Sequence, residues 1–187
     1  MRAMNLPSDT LPLHCHPATP APAVRALTAR ARRTAEGLTL TFLLQGDIAR
    51  LRIARPQTQP AYTERLWEQT CFEAFIARAG EAGYREFNFA PSGDWAIYAF
   101  SAYRTPLALD PLPAPRIVAQ QTDGRLELDV HLAHASLPCG NGAWDIGLSA
   151  VVEAADLGDG RHSYWALRHA AERPDFHRRE SFTLRLD

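Results

Sequence analysis

Glu73 is the residue of this sequence that most needs a chemical reason, because it stands inside the apolar run CFEAFI at residues 71–76. Burying an unpaired carboxylate is costly, so such a group pairs with an arginine, binds a cation or lines a wet pocket. Arg85 and Arg104 are the candidate partners for a structural ion pair. Set beside Asp175 or His177, Glu73 would instead make the acid–base pair of a hydrolase, the one plausible set in the chain. Trp67, Trp95 and Trp165 offer flat apolar surfaces that suit the C–H face of a sugar ring, although an indole in a sandwich is more often core. Trp144, alternating with aliphatic residues, is assigned to the core. Asn88, Ser92 and Tyr98 can supply directional hydrogen bonds; Ser92 is equally explained by its turn, Pro91-Ser92-Gly93-Asp94. His169 and the loop Pro174-Asp175-Phe176-His177 bring a carboxylate and two imidazoles toward one edge, a metal or catalytic grouping or simply a self-bonded loop. His14-Cys15-His16 invites a metal reading, but neighbours in an extended chain point to opposite sides, and an edge strand with incidental polar residues accounts for it better.

These groups need elements to hold them, and residues 66–104 are central. That stretch holds two of the four Trp and five of the eight Phe. Residues 84–103 read as a hairpin closed by the turn at 91–94. With a four-residue loop, Phe89 faces Ala96 and Phe87 faces Tyr98, leaving Tyr84, Glu86, Asn88, Trp95 and Ser101 on an open face. A slip of one residue exchanges the faces. Residues 68–82 fit a helix by composition; as a strand, Phe72, Ala74 and Ile76 oppose Cys71, Glu73 and Phe75. The period-two surroundings favour strand. Further strands are expected at 24–33, 38–44, 48–53, 116–121, 125–133, 143–153, 162–169 and 181–186. A Pro-rich crossing spans 105–115 and a turn spans 156–160. About ten strands with turns at short intervals predict an all-β, antiparallel sandwich.

The 187 residues suit one core that needs no disulfides. A Pro-rich arm at 1–22 precedes the sandwich domain at 23–187. The formal charge of -1 offers no footprint for nucleic acid or an anionic membrane. All 20 basic residues are Arg, spread along the whole chain. Cys15, Cys71 and Cys139 form neither a disulfide framework nor a zinc pattern, so a cytoplasmic location is expected. No apolar run reaches membrane-spanning length.

Three motifs carry a family resemblance: LWEQTCFEAFI (66–76), EFNFAPSGDWAIYAF (86–100) and SYWALRHAAERPDFHRRESFTLRL (163–186). In this order, over residues 11–187, the chain resembles the bacterial DOMON-like proteins, a group similar to family-nine carbohydrate-binding modules. The resemblance implies an immunoglobulin-like or jelly-roll β-sandwich, makes residues 72–76 a strand, and implies a ligand-binding module whose relatives take sugar or haem. It also implies a ligand-holding role for Glu73. The expected role is therefore non-catalytic binding of a carbohydrate or related polar metabolite, with no cofactor or metal. The candidate ligand residues are Trp67, Glu73, Asn88, Ser92, Trp95, Tyr98, Arg104, Trp165, His169, Asp175 and His177. Haem is the weaker alternative: the only methionines are Met1 and Met4, leaving bis-His ligation by His131, His162, His169 or His177.

Overall fold

Period-two alternation builds most of the elements. In the computed structural model, which describes residues 9–155 and 161–187, twelve strands run in chain order. They are β1 (Leu11–Cys15), β2 (Val24–Arg33), β3 (Gly37–Gly46), β4 (Cys71–Arg78), β5 (Tyr84–Phe89) and β6 (Trp95–Ala102). Then come β7 (Thr105–Leu107), β8 (Arg116–Thr122), β9 (Arg125–Ala133), β10 (Trp144–Glu153), β11 (His162–Ala166) and β12 (Leu184–Leu186). The turn expected at 156–160 and the start of the N-terminal arm lie outside the described residues.

The strands form two layers joined through β1. Leu11–Leu13 pair with β2, whereas His14 and Cys15 pair with β11, so each half of β1 is an edge of a different layer. One layer runs β1-β2-β3-β9-β8; the other runs β7-β6-β5-β4-β10-β11-β1, with β12 beside the start of β10. All pairings between these strands are antiparallel. The inner faces meet as Phe42 of β3 packs on Phe72 of β4, ring centroids 5.2 Å apart. In β9, Leu126, Leu128, Val130 and Leu132 are buried while their neighbours are half-exposed, as a half-buried strand requires. Trp144 is fully buried.

β4 explains why its own stretch of sequence is ambiguous. All eight of its residues are buried, because a second cluster (Phe75, Ala77, Tyr84 and Phe182) covers its outer face. A strand covered on both sides loses the polar half of its alternation. Three local expectations are corrected. Residues 48–53 form a single 3-10 turn, Ile48–Arg50, followed by one bridge from Leu51 to Ala154. The Pro-rich crossing begins with a short strand, β7. The last expected strand opens instead with a 3-10 turn, Arg179–Ser181.

The register of the central hairpin differs from the expected one. Ala90 N–H donates to Asp94 O at 2.9 Å, and Phe89 pairs with Trp95, Phe87 with Ile97 and Glu86 with Tyr98. The Asp94 carboxylate closes this turn by accepting from Ser92 Oγ, Gln57 Nε2 and the Ala61 N–H. The shift turns Trp95 toward the core and puts Tyr98 on the outer face. Among the described residues no helix is long and apolar enough to cross a membrane.

Candidate functional site

The outer face of the β6-β5-β4-β10-β11 layer carries the candidate site. Antiparallel pairing lines its residues up in rows: Ser149, Glu73, Asn88 and Ala96; then Gly147, Phe75, Glu86 and Tyr98. A neighbouring row holds Tyr164, Val151 and Cys71. Over these rows lies a cavity of about 430 Å³, lined by Trp67, Glu73, Phe75, Glu86, Tyr98, Phe100, Arg104, Val151, Tyr164 and residues 174–177.

Its walls come from three connections. Leu66 is buried against Cys71, Ala90 and Ala96, which leaves the next residue, Trp67, 40% exposed and edge-on to Tyr98 at 5.8 Å. Arg104 sits in the β6–β7 turn with φ 49, and its backbone N–H donates to Tyr84 Oη at 3.1 Å. The 174–177 loop is tied down by Asp175. That carboxylate accepts from Tyr103 Oη (2.6 Å), Arg104 (3.1 Å), Arg178 (3.2 Å) and the His177 N–H (3.2 Å). Phe176 then packs against Phe75 and Tyr164.

Six of the expected site residues therefore meet here: Trp67, Glu73, Tyr98, Arg104, Asp175 and His177. The other five do not line the cavity. Asn88 lies beneath it, fully buried, and donates to Glu86 Oε1 at 2.8 Å. Ser92 serves its turn. Trp95 and Trp165 pack with the core, Trp165 donating to Ser163 Oγ at 3.0 Å. His169 bonds the carbonyl of His14 at 2.8 Å and packs edge-on to His16. The cavity also uses residues absent from the expected set. Alternation alone would have placed Phe75 beside Glu73 and Tyr164 opposite Trp165, and Glu86 already stood on the open face. Val151 carried no signal, since its position depends on β10 finding β4 across some eighty residues of chain.

Among the described residues Glu73 makes no ion pair. Arg85 points the other way, donating to the carbonyls of Ser136 (2.7 Å) and Leu137 (2.9 Å), and Arg104 is engaged by Asp175. Among the described residues, the one hydrogen bond to the Glu73 carboxyl comes from Ser149 Oγ at 3.5 Å. Burial, reinforced by the nearby Glu86, pushes its pKa well above the carboxylate range against the pull of Ser149 and Arg104. Burial also raises Glu86, opposed by the Asn88 amide and Arg104. Burial would raise Asp175 too, but its bonds from Tyr103 and Arg104 outweigh that and hold it below its usual range.

His177 is pushed down to about 4 by burial and by Arg104, against the opposing charge of Asp175. Its Nε2 lies 3.5 Å from Glu86, but burial disfavours charge on both partners, so this contact gains little as an ion pair. The sign of the linkage follows. A histidine whose folded pKa is depressed stabilises the fold above its unfolded value near 6.5, and that stability is lost as pH falls from 6.5 toward 4. Discounted for its partial contact with solvent, the loss is about 2 kcal/mol. Thermal melts of wild type and His177→Gln across this window should converge on acidification; parallel curves would contradict the assignment. The groups facing this imidazole are Tyr84, Glu86, Arg104 and Asp175.

No protein-family model and no curated protein matches this chain. Solved structures do. A Bacteroides uniformis protein whose proposed role is carbohydrate binding aligns with a TM-score of 0.67 at 16% identity, covering 93% of this chain and 84% of that one. A family 9 carbohydrate-binding module from Caldicellulosiruptor kristjanssonii, solved in complex with glucose, aligns with a TM-score of 0.55 at 8% identity, covering 84% and 74%. At such identities the likeness is one of fold: this chain shares its antiparallel β-sandwich with those proteins.

Proposed function

We propose that this chain is a non-catalytic, DOMON-like binding module for a small polar ligand, a saccharide or a related metabolite. The cavity on the outer face carries this reading. Trp67, Phe75, Tyr98, Phe100, Tyr164 and Phe176 line it with rings, while Glu73, Glu86 and Arg104 supply polar groups among them. Sugar recognition needs that mixture: flat apolar surface for the C–H face and fixed hydrogen-bonding groups for the hydroxyls. The shared fold with carbohydrate-associated structures agrees with it.

The hydrolase alternative finds less support. Asp175 is committed to its four donors, and both ring nitrogens of His177 are engaged, with Tyr84 Oη at 2.8 Å and Glu86 at 3.5 Å. Haem finds none in the placement of the histidines. His131 lies on β9 in the other layer, and His162 and His169 bond main-chain carbonyls.

A glycan array probed with wild type and Trp67→Ala tests the proposal. Wild type should register hits, and the variant should lose about tenfold in affinity for them while its melting temperature barely moves, since the indole is already substantially exposed. Hits that Trp67→Ala retains at full strength, or a blank array, would sink it.

A further inference from the structure

Glu73 and Glu86 are diagonal neighbours on adjacent strands, both line the cavity, and both are buried, Glu73 at 3% exposure and Glu86 at 6%. Among the described residues neither forms an ion pair with an arginine; Arg104 acts on both only at longer range, its guanidinium being bound to Asp175. Glu73 accepts a single long bond from Ser149, and Glu86 meets the neutral amide of Asn88 and, at 3.5 Å, Nε2 of the neutral His177. A carboxylate has about four acceptor positions on its two oxygens, so most of this capacity faces the cavity unused. We infer that the cavity receives a primary ammonium group on its ligand, held by Glu73 and Glu86, and that an amino sugar is the saccharide class that fits. This rests on the saccharide reading above and narrows it.

The charge balance points the same way. Three carboxyl groups line the cavity, Glu73, Glu86 and Asp175, with one guanidinium, Arg104; Arg178, outside the lining, shares the Asp175 carboxylate with it, so two guanidiniums stand against three acids. His177 stays neutral above about 4. One positive charge is therefore missing when the carboxyls ionise. A neutral sugar would leave the two buried acids either protonated or ionised at a cost, whereas an ammonium supplies both the charge and three N–H donors. A quaternary ammonium would bring charge but no donors for those oxygens. The flanking rings of Phe75, Tyr98 and Tyr164 add attraction for a cation near their faces. A divalent metal suits the site less well, because the described residues hold no cluster of three or more His, Cys, Asp or Glu able to grip one.

Isothermal titration of the full chain with D-glucosamine, D-glucose and N-acetyl-D-glucosamine tests this at about pH 6.5, below the range in which amines lose their proton. Glucosamine should bind at least about tenfold tighter than either neutral sugar, the scale of a hydrogen bond to a charged group. Glu73→Gln and Glu86→Gln should each bring that preference toward parity. Because burial disfavours charge on both carboxyls, glucosamine should also displace protons, seen as heats that change with the buffer's ionisation enthalpy. The other titratable or charged groups facing the pair are Cys71, Tyr84, Tyr98, Arg104, Tyr164, Asp175 and His177. If glucose binds as tightly as glucosamine, or the array returns neutral glycans only, the ammonium assignment falls and the saccharide reading stands. If none of the three sugars binds and the array is blank, both fall.

Discussion

Glu73→Gln should weaken saccharide binding by about tenfold to a hundredfold and should melt no lower than wild type. Ordinarily the loss of a buried charged residue is expensive, about 3 kcal/mol when it strands a partner of opposite sign. Among the described residues no such partner pairs with it: Arg85 faces the opposite side of the sheet, and Arg104 belongs to Asp175. The substitution strands nothing and keeps a hydrogen-bond acceptor for Ser149. The pH dependence sharpens the test. A carboxyl whose folded pKa is raised stabilises the fold fully below its unfolded value, and that stability drains away as pH rises through the folded one. Glutamine does not titrate, so the variant's melting temperature should gain on wild type with increasing pH. A drop worth about 3 kcal/mol at neutral pH, with glycan binding intact, would make Glu73 a structural residue.

Gly37→Ala should cost about 4 kcal/mol, lowering the melting temperature by roughly 10 °C for a chain of this size. In sequence this glycine closes the turn between β2 and β3. In the fold it is also the first residue of β3, paired with Ala133 of β9, with φ +153. A Cβ there would lie 2.0 Å from the carbonyl oxygen of Leu132 and 2.8 Å from the amide nitrogen of His134, both backbone atoms that cannot swing aside. The strands must part, and the β3–β9 pairing is a main seam of its layer. Gly80→Ala is the control. It has φ +82 but nothing within 4 Å of the point a methyl carbon would occupy, so it should cost only the left-handed penalty of about 1 kcal/mol. Equal effects at the two sites would show that backbone strain, and not the close approach, is what Gly37 relieves.

Much of the site's composition was visible before any fold. Glu73 stood out because a carboxylate in an apolar strand demands a reason, and the residues following Arg173 stood out as a loop carrying Asp175 and His177. Six of the eleven residues singled out do line one cavity. The exchange of Trp95 for Tyr98 shows where such inference stops. In WAIYAF, either phase of the alternation puts an aromatic and a small residue on each side, so hydrophobicity hardly distinguishes them. The choice fell to Asp94, whose backbone carbonyl pairs with Ala90 and whose carboxylate binds Gln57 and Ala61, contacts made from outside the hairpin.

The sequence by itself determined the class of fold and the identity of the central acid. Strand alternation and turn chemistry are local, each settled by neighbours within a few residues, and twelve antiparallel strands in two layers follow from their accumulation. The tertiary structure alone decided what Glu73 faces. Its row-mates, Ser149 on β10 and Asn88 on β5, and its neighbour Glu86 arrive through strand pairing. The roof arrives through Asp175, clasped by Tyr103 and Arg104 from some seventy residues earlier. Pairings at such separations depend on which edges meet and in what register, and that is set by the packing of the whole sandwich, with no trace in the period of any one strand.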